Sequence, residues 1–550
     1  MIDICVWSRQ DLLNTTAMCG VYFSLLILSC IAHTIHSQAI PHVTISLGPA
    51  QHLRGLNTTQ GSGHRVYKFL GIPYARPPLG DRRFRPPEPE PDWTGVKDAV
   101  NRSSICPQGN SRTEDCLYLN VFTPDVNGTL PVFVWIHGGG YTTGSAFGDG
   151  DGATMAPQGI VTVTINYRLG PLGFMSTGDA AMPGNYGMLD QVLALKWVKK
   201  YIKAFGGDPT QVTIGGESAG AHSVSLLIVS PLTKGLFHRA VMESGSGLAL
   251  TALERPGTRT KLRTTTLRSA ARVGCNQAAS SEILQCLQKV DIQHLMNATR
   301  DFTPLPRIET TFGFMPEEPI TLIRNGNYNK VDTLHGTNSG EGAGNVVDAK
   351  NDGVTLQEFR NTIGSQVGGF LNAGAITSLF TDAYTANLTD PFLLRQTLVH
   401  AVADIKYGGA TMVETSKYVL APNTKHFLYE FAYRITGTGS PEWQGVGHAA
   451  ERGFVFYGGF SHPNDKAIGE TVQKMWANFI KNGDPTPTDI TIKLESGSNT
   501  IKWNAFTNNN PRMLIIDAPS KLVTYPRLFV VPLFEKILEI MQSDVEPIVG

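Results

Sequence analysis

Ser218 stands in Gly216-Glu217-Ser218-Ala219-Gly220, directly after the β-branched run Val212-Thr213-Ile214 and before an apolar helical run, Val224 to Val229. A strand that turns sharply into a helix forces its turning residue into a strained conformation, and glycines on either side relieve the close approach of backbone. Such a G-x-S-x-G turn presents the hydroxyl above a sheet and puts the next backbone N–H at a helix start. The bare pattern arises by chance in a glycine-rich chain, so the flanking strand and helix give it its weight. The chemistry it suggests is nucleophilic attack by an activated serine.

A serine hydroxyl is a poor nucleophile until a base takes its proton, and the base needs an acid to hold its tautomer. With a serine on this kind of turn the chain order is Ser, then Asp or Glu, then His. Eight histidines follow Ser218. His426 opens an apolar run, His335 sits within one, and His222 and His238 are too near the serine. His448, in the glycine-rich loop "GTGSPEWQGVGH", is the expected base, with His462 in "GGFSHPND" second. For the acid, Glu341 is the carboxylate of the loop "GTNSGEGAG". Glu217 is set aside, because a residue adjacent to the nucleophile cannot easily reach the far side of the imidazole. If His448 is the base, activity should rise through roughly pH 6–7, near an ordinary imidazole pKa. The donors for an oxyanion are expected from "HGGGY", His137 to Tyr141, where Gly139 and Gly140 would join the Ala219 N–H in a three-donor hole. A phosphate-binding loop would end in Lys-Ser or Lys-Thr, which this one does not.

These groups need a rigid frame. Near-continuous apolar runs recur in "PVFVWIHGGG", "GIVTVTINYR", "QVTIGGES", "HRAVMESG", "KVDTLHGTN" and "KHFLYEFAY". Such runs are typical of strands buried on both faces. Between them "DQVLALKWVKKYIKAFGGD" puts Leu195, Val198, Ile202 and Phe205 on one helical face, with Gly206-Gly207 as a stop. Alternating strand and helix predict an α/β fold with a mostly parallel central sheet and helices on both faces, its ligands bound beyond the carboxyl ends of the strands. Gly247 to Leu322 and Leu356 to Leu420 are helical in pattern and are expected as insertions over the catalytic edge.

Among 550 residues, Lys plus Arg and Asp plus Glu number 46 each, so no global field draws the chain onto nucleic acid. The basic run Arg259, Lys261, Arg263, Arg268 and Arg272 carries no interleaved aromatics and is expected as a solvated helix face. Val21 to Ala32 has the length of a signal-peptide core and is too short to span a bilayer. We expect residues 1–39 to be a secretory leader, with Met18 as a possible true start, and 40–550 to be one domain. Of the seven cysteines, Cys5, Cys19 and Cys30 fall in that leader, and an even set of four remains. Cys106 with Cys116, and Cys275 with Cys286, are sequence neighbours able to close small loops, and neither pair has metal-ligand spacing. Sequons at Asn57, Asn101, Asn127, Asn297 and Asn387 fit export. The end, "SDVEPIVG", is neither a retention signal nor a hydrophobic anchor tail.

The stretches "FGGDPTQVTIGGESAG" and "EDCLYLNVFTP", supported by "FLGIPYARPPLGDRRFRPP", "NYRLGPLGF", "GNYGMLDQ" and "GTNSGEG", resemble the type-B carboxylesterase and cholinesterase family. The resemblance runs through essentially the whole chain after the leader. It implies the α/β-hydrolase fold, with Ser218 as nucleophile, Glu341 as acid, His448 as base and Gly139, Gly140 and Ala219 as oxyanion donors. It also implies disulfides Cys106–Cys116 and Cys275–Cys286. One departure stands out: cholinesterases carry a choline-binding tryptophan ten residues before the cysteine of the "EDCLYLN"-type motif, where this chain has Cys106. A cation–π cage for quaternary ammonium is therefore not expected. The reading is a secreted serine carboxylesterase acting on small-molecule or lipid-like esters, without metal, cofactor, nucleic-acid partner or transmembrane anchor. Its rivals are a lipase of the same family and a non-catalytic cholinesterase-like binding or adhesion protein.

Overall fold

Alternate side chains of the run Leu130–Ile136 serve two different cores: Val132, Val134 and Ile136 join one buried cluster, Phe133 and Trp135 another. A strand that packs apolar groups on both sides must lie inside a covered sheet. The computed structural model describes residues 41–543 except 62, 149–150, 256, 259–260 and 457. The expected leader, with Cys5, Cys19, Cys30 and Met18, lies outside the described residues, as does Arg259.

In chain order the strands are β1 (His42–Gly48), β2 (Gln51–Gln60), β3 (His64–Pro73), β4 (Gly95–Asp98), β5 (Tyr118–Thr123), β6 (Leu130–Ile136), β7 (Val161–Ile165), β8 (Gly207–Glu217), β9 (Arg239–Glu243), β10 (Asp332–Asn338), β11 (His426–Phe431), β12 (Ile490–Leu494), β13 (Gly497–Ile501), β14 (Arg512–Ile516) and β15 (Lys521–Thr524). Thirteen of them form one sheet, ordered β1-β2-β3-β5-β7-β6-β8-β9-β10-β11-β14-β15 with β4 beside β2, while β12 and β13 pair separately. From β7 to β14 every neighbour is parallel. The flanks turn antiparallel, at β2–β3–β5–β7 on one side and β14–β15 on the other. This is the mostly parallel sheet of the α/β-hydrolase fold, and all six expected strands fall in its parallel centre.

Helices cover both faces. Tyr186–Tyr201 runs on through a tight turn, Ile202–Phe205, and stops at Gly206, whose φ of 77° closes the end. Its face of Leu195, Val198, Ile202 and Phe205 is buried with Val132 and Ile214 in the first core. On the opposite side Pro463–Asn482 buries Val472, Met475, Trp476 and Phe479 with Phe133 and Trp135. The two helical insertions are present. Leu262–Arg272, Ser280–Leu287, Ile292–Ala298 and Pro319–Arg324 lie between β9 and β10, and Leu356–Val367, Ala373–Thr385, Pro391–Ala403 and Gly409–Tyr418 between β10 and β11. Contacts join Val43 onward into one compact unit.

Both disulfides form, with Cα atoms 4.9 Å apart for Cys106–Cys116 and 5.6 Å for Cys275–Cys286. A buried ion pair links their neighbourhoods. Arg83 donates to both oxygens of Glu114, at 2.7 and 2.5 Å, and to the carbonyls of Leu287 and Val290 at 2.8 and 2.6 Å. Of the sequon asparagines, Asn101, Asn127, Asn297 and Asn387 are exposed, whereas Asn57 is half-buried within β2. Among the described residues, no helix is long and apolar enough to cross a membrane.

Candidate active site

Strand ends bring the chemistry to one edge of the sheet. Ser218 follows β8, Ser244 follows β9, Glu341 lies three residues beyond β10, and His448 is in the loop after β11. All four strands are parallel, so these are their carboxyl ends, where such sheets hold ligands. Ser218 has φ 57° and ψ −123°, a conformation that costs a non-glycine residue about 1–3 kcal/mol, and the helix Ala219–Val229 starts immediately after it. Its N–H is fixed to the Glu243 carbonyl at 2.9 Å. The flanking glycines are sterically required: a Cβ on Gly220 would stand 2.1 Å from the Ile136 oxygen, and one on Gly216 would stand 2.6 Å from that oxygen.

The loop His137–Tyr141 leaves β6 beside this turn. Gly139 and Gly140 have φ of 99° and 60°. Gly140, Ser218 and Ala219 all line one cavity of about 670 Å³, while Gly139 does not reach its lining. Ala219 is the first helical residue, so its N–H has no partner within the helix and is free to face a ligand oxygen. The loop is held from outside. His137 stacks on Tyr167 with ring centroids 4.4 Å apart, and the Tyr167 hydroxyl donates to the His137 carbonyl at 2.9 Å. Gln108, inside the Cys106–Cys116 ring, exchanges two hydrogen bonds with Gly144, at 2.8 and 2.7 Å.

His448 Nδ1 donates to Glu341 Oε2 at 2.7 Å. The other oxygen of Glu341 accepts from Ser244 Oγ at 2.5 Å and from the Asn338 amide at 3.0 Å, so its buried charge is met from three sides. Glu451 lies behind them, accepting from Asn338 Nδ2 at 2.6 Å and from Ser244 Oγ at 3.3 Å. Burial and the nearby Glu341 charge push the Glu451 carboxyl up.

Glu217 meets the imidazole from its other edge. It does not approach Nδ1, but its Oε1 stands 3.1 Å from His448 Nε2, the edge that would serve the serine. Among the described residues, no hydrogen bond joins Ser218 to the imidazole. Each ring nitrogen thus faces a carboxylate, an arrangement suited to the imidazolium, which has an N–H for each. Burial draws the His448 pKa down, but the Glu341 hydrogen bond and the charges of Glu341, Glu217 and Glu451 outweigh it, and the net shift is upward. The expected rise through pH 6–7 therefore moves to higher pH.

The other histidines stand elsewhere. His222 lines the cavity, but burial, with the charges of His448 and Arg255, pushes it down to about 3 and keeps it neutral. His335 is fully buried, its Nε2 facing the Gly245 carbonyl at 2.8 Å. His462 caps the helix Pro463–Asn482 through the Asn464 amide.

One residue escaped the sequence reading. Tyr407 belongs to a π-helical turn, Asp404–Gly408, and its ring stacks on His448 with centroids 4.8 Å apart and planes 6° apart. The signal was the Gly408-Gly409 break in a helical pattern, at the kind of bulge that clusters at functional sites. Arg268 is solvent-exposed, like the helix face expected of it, and it also borders the cavity, 3.7 Å from Asp301, which does so as well. Leu250, Leu253, Leu262 and Leu305 from the first insertion and Phe370 and Tyr407 from the second give the cavity an apolar side.

Comparison with known proteins adds a lineage to this geometry. The sequence profile of the carboxylesterase family matches residues 39–527. Neuroligin-2 of Mus musculus is 33% identical over 497 residues, 76% of this chain and 58% of the relative, so the chain spans little more than half of that protein's length. The precursor of the medium-chain fatty acyl-CoA hydrolase of Anas platyrhynchos is 32% identical over 520 residues, 88% of this chain and 89% of the relative. Cholinesterase of Mus musculus is 33% identical over 539 residues, 88% and 86%. With the sheet, the serine turn and a profile match across most of its length, the chain belongs to the carboxylesterase family.

Proposed function

We propose that the chain is a secreted serine carboxylesterase, residues 1–39 being a leader removed on export and 40–550 one catalytic domain. The observation that carries this reading is the 2.7 Å Glu341–His448 pair at the carboxyl edge of the sheet, with the strained Ser218 beside the same Tyr407. In the reaction, the imidazole, neutral and turned from Glu217 to Ser218, takes the serine proton on Nε2 while Oγ bonds to the ester carbonyl carbon. The carbonyl oxygen gains the negative charge and meets the N–H groups of Gly140 and Ala219, which line the cavity, with that of Gly139 expected to join once the ester is bound. Each such donor typically contributes about 2.7–4 kcal/mol to the barrier reduction. The carbon–alkoxy bond then breaks, His448 returns the proton to the departing alcohol, and the acyl-serine remains. Water repeats the cycle from the other side: His448 takes its proton, the acyl–Oγ bond breaks, and serine recovers its hydrogen. Glu341 holds the imidazole tautomer throughout.

The leucines of the cavity and Phe370 suit an acyl chain, and none of its described lining residues is tryptophan, in keeping with neutral esters rather than quaternary ammonium esters. A lipase activity on the same site is separated from this by a panel of acyl lengths with and without a lipid–water interface. A second reading, a non-catalytic binding protein, draws on the Glu217–His448 contact and on the similarity to neuroligin-2. Labelling the full chain with a fluorophosphonate, followed by peptide mapping, decides between them. The esterase reading expects an adduct on Ser218, lost in Ser218→Ala. An unlabelled chain, or an adduct on another peptide, overturns it.

A further inference from the structure

Two cavities meet at the proposed site. Ser218 lines the one of about 670 Å³; His448 and Glu341 line another of about 570 Å³, with Lys406 and Asn345. Tyr407 lines both, and it is the residue the two linings share. It shares the serine cavity with Ser218, while its ring covers the imidazole. The Tyr407 hydroxyl is 3.4 Å from His448 Nε2. Because the two ring planes are nearly parallel, that oxygen sits over the face of the imidazole, whereas the nitrogen lone pair lies in the ring plane. The contact therefore covers the base without offering a path for the proton.

The backbone that presents Tyr407 is fixed. The π-helical turn starts at buried Asp404, which accepts from Arg527 Nε at 2.8 Å and from the Tyr384 hydroxyl at 2.5 Å. Movement here belongs to the side chain, and an occupant that fills the serine cavity as far as Tyr407 presses on its ring.

We propose that Tyr407 is a specificity-determining gate: at rest its ring separates Ser218 from His448, and only an acyl group long enough to displace the ring lets the imidazole turn from Glu217 to Ser218. The inference rests on the esterase reading and names a substrate class for it, esters of medium-chain rather than acetic acid. A short acyl group fits beside Ser218 without touching the gate. A longer one gains about fourfold for each methylene it buries against the ring, taking the hydrophobic transfer value per methylene.

The test compares p-nitrophenyl acetate with p-nitrophenyl octanoate as substrates of the full chain and of Tyr407→Phe, Tyr407→Leu and Tyr407→Ala, each checked for folding by circular dichroism. The native chain should prefer octanoate in kcat/KM by at least about tenfold. Tyr407→Phe keeps the ring and should keep that ratio. Tyr407→Leu and Tyr407→Ala should shrink it about tenfold, chiefly by raising acetate turnover, and should speed fluorophosphonate labelling of Ser218. Active Tyr407→Leu and Tyr407→Ala variants that lose both activities in equal proportion, or keep the native ratio, overturn the gate and leave the esterase reading standing. A folded chain inert to both esters and to the fluorophosphonate in all four forms overturns the two together.

Discussion

His448 stands between two carboxylates, and only its neutral form can take a proton from Ser218. Negative neighbours favour the charged form, so the folded-state pKa lies above the ordinary imidazole value. On the esterase reading, activity should therefore be present above that raised pKa and lost as pH falls through it. A kcat/KM profile on a neutral ester should show its acid limb centred above about 6.5, the ordinary value. In Glu217→Gln the limb should move to lower pH, because one of the charges holding the proton is gone. A native midpoint at or below the ordinary value would contradict the geometry. Ser244 offers a second test at this scale. Its hydroxyl donates to the buried Glu341 carboxylate, so Ser244→Ala should cost about 1.5–3 kcal/mol in denaturant unfolding, the range for hydrogen bonds to charged groups.

The turn between β8 and its helix works only because two backbones nearly touch there. Gly220→Ala would drive a methyl into the Ile136 carbonyl and should cost about 3 kcal/mol or abolish folded protein, read from expression and thermal melts. Gly374→Ala, exposed in the helix Ala373–Thr385 with open space around it, should instead add about 0.5–1 kcal/mol. Elements of this sort differ in how plainly sequence announces them. The parallel centre was legible because Val132–Ile136, Val161–Ile165 and Val212–Ile214 are rich in β-branched and aromatic residues and buried on both faces. The outer strands β1 and β4 were not: β1 buries only Ile45 fully and β4 buries none of its four residues, so neither shows a sustained apolar pattern. The π turn at Tyr407 was faint too, since one extra residue only shifts the phase of a helical pattern, with the Gly408-Gly409 pair as its mark.

Across the whole molecule, chain order and loop composition were enough to nominate Ser218, Glu341 and His448, since each lies at the end of a strand that could be recognised. What stayed hidden were contacts set by rotamers: Glu217 against Nε2 and Tyr407 over the imidazole. If export occurs as proposed, the exposed Asn101, Asn127, Asn297 and Asn387 should carry glycans and half-buried Asn57 should not. Peptide mapping of secreted protein before and after enzymatic deglycosylation would check this. The hydrogen-bonded exchange between Gln108 and Gly144 has a further consequence. Gln108 is held by a covalent ring of Cys106 to Cys116, so thiol reductants should slacken the glycine loop that faces the ester. Dithiothreitol should then slow turnover more than it weakens substrate affinity. The protein would then be competent only where thiols stay oxidised, as they do along the export route.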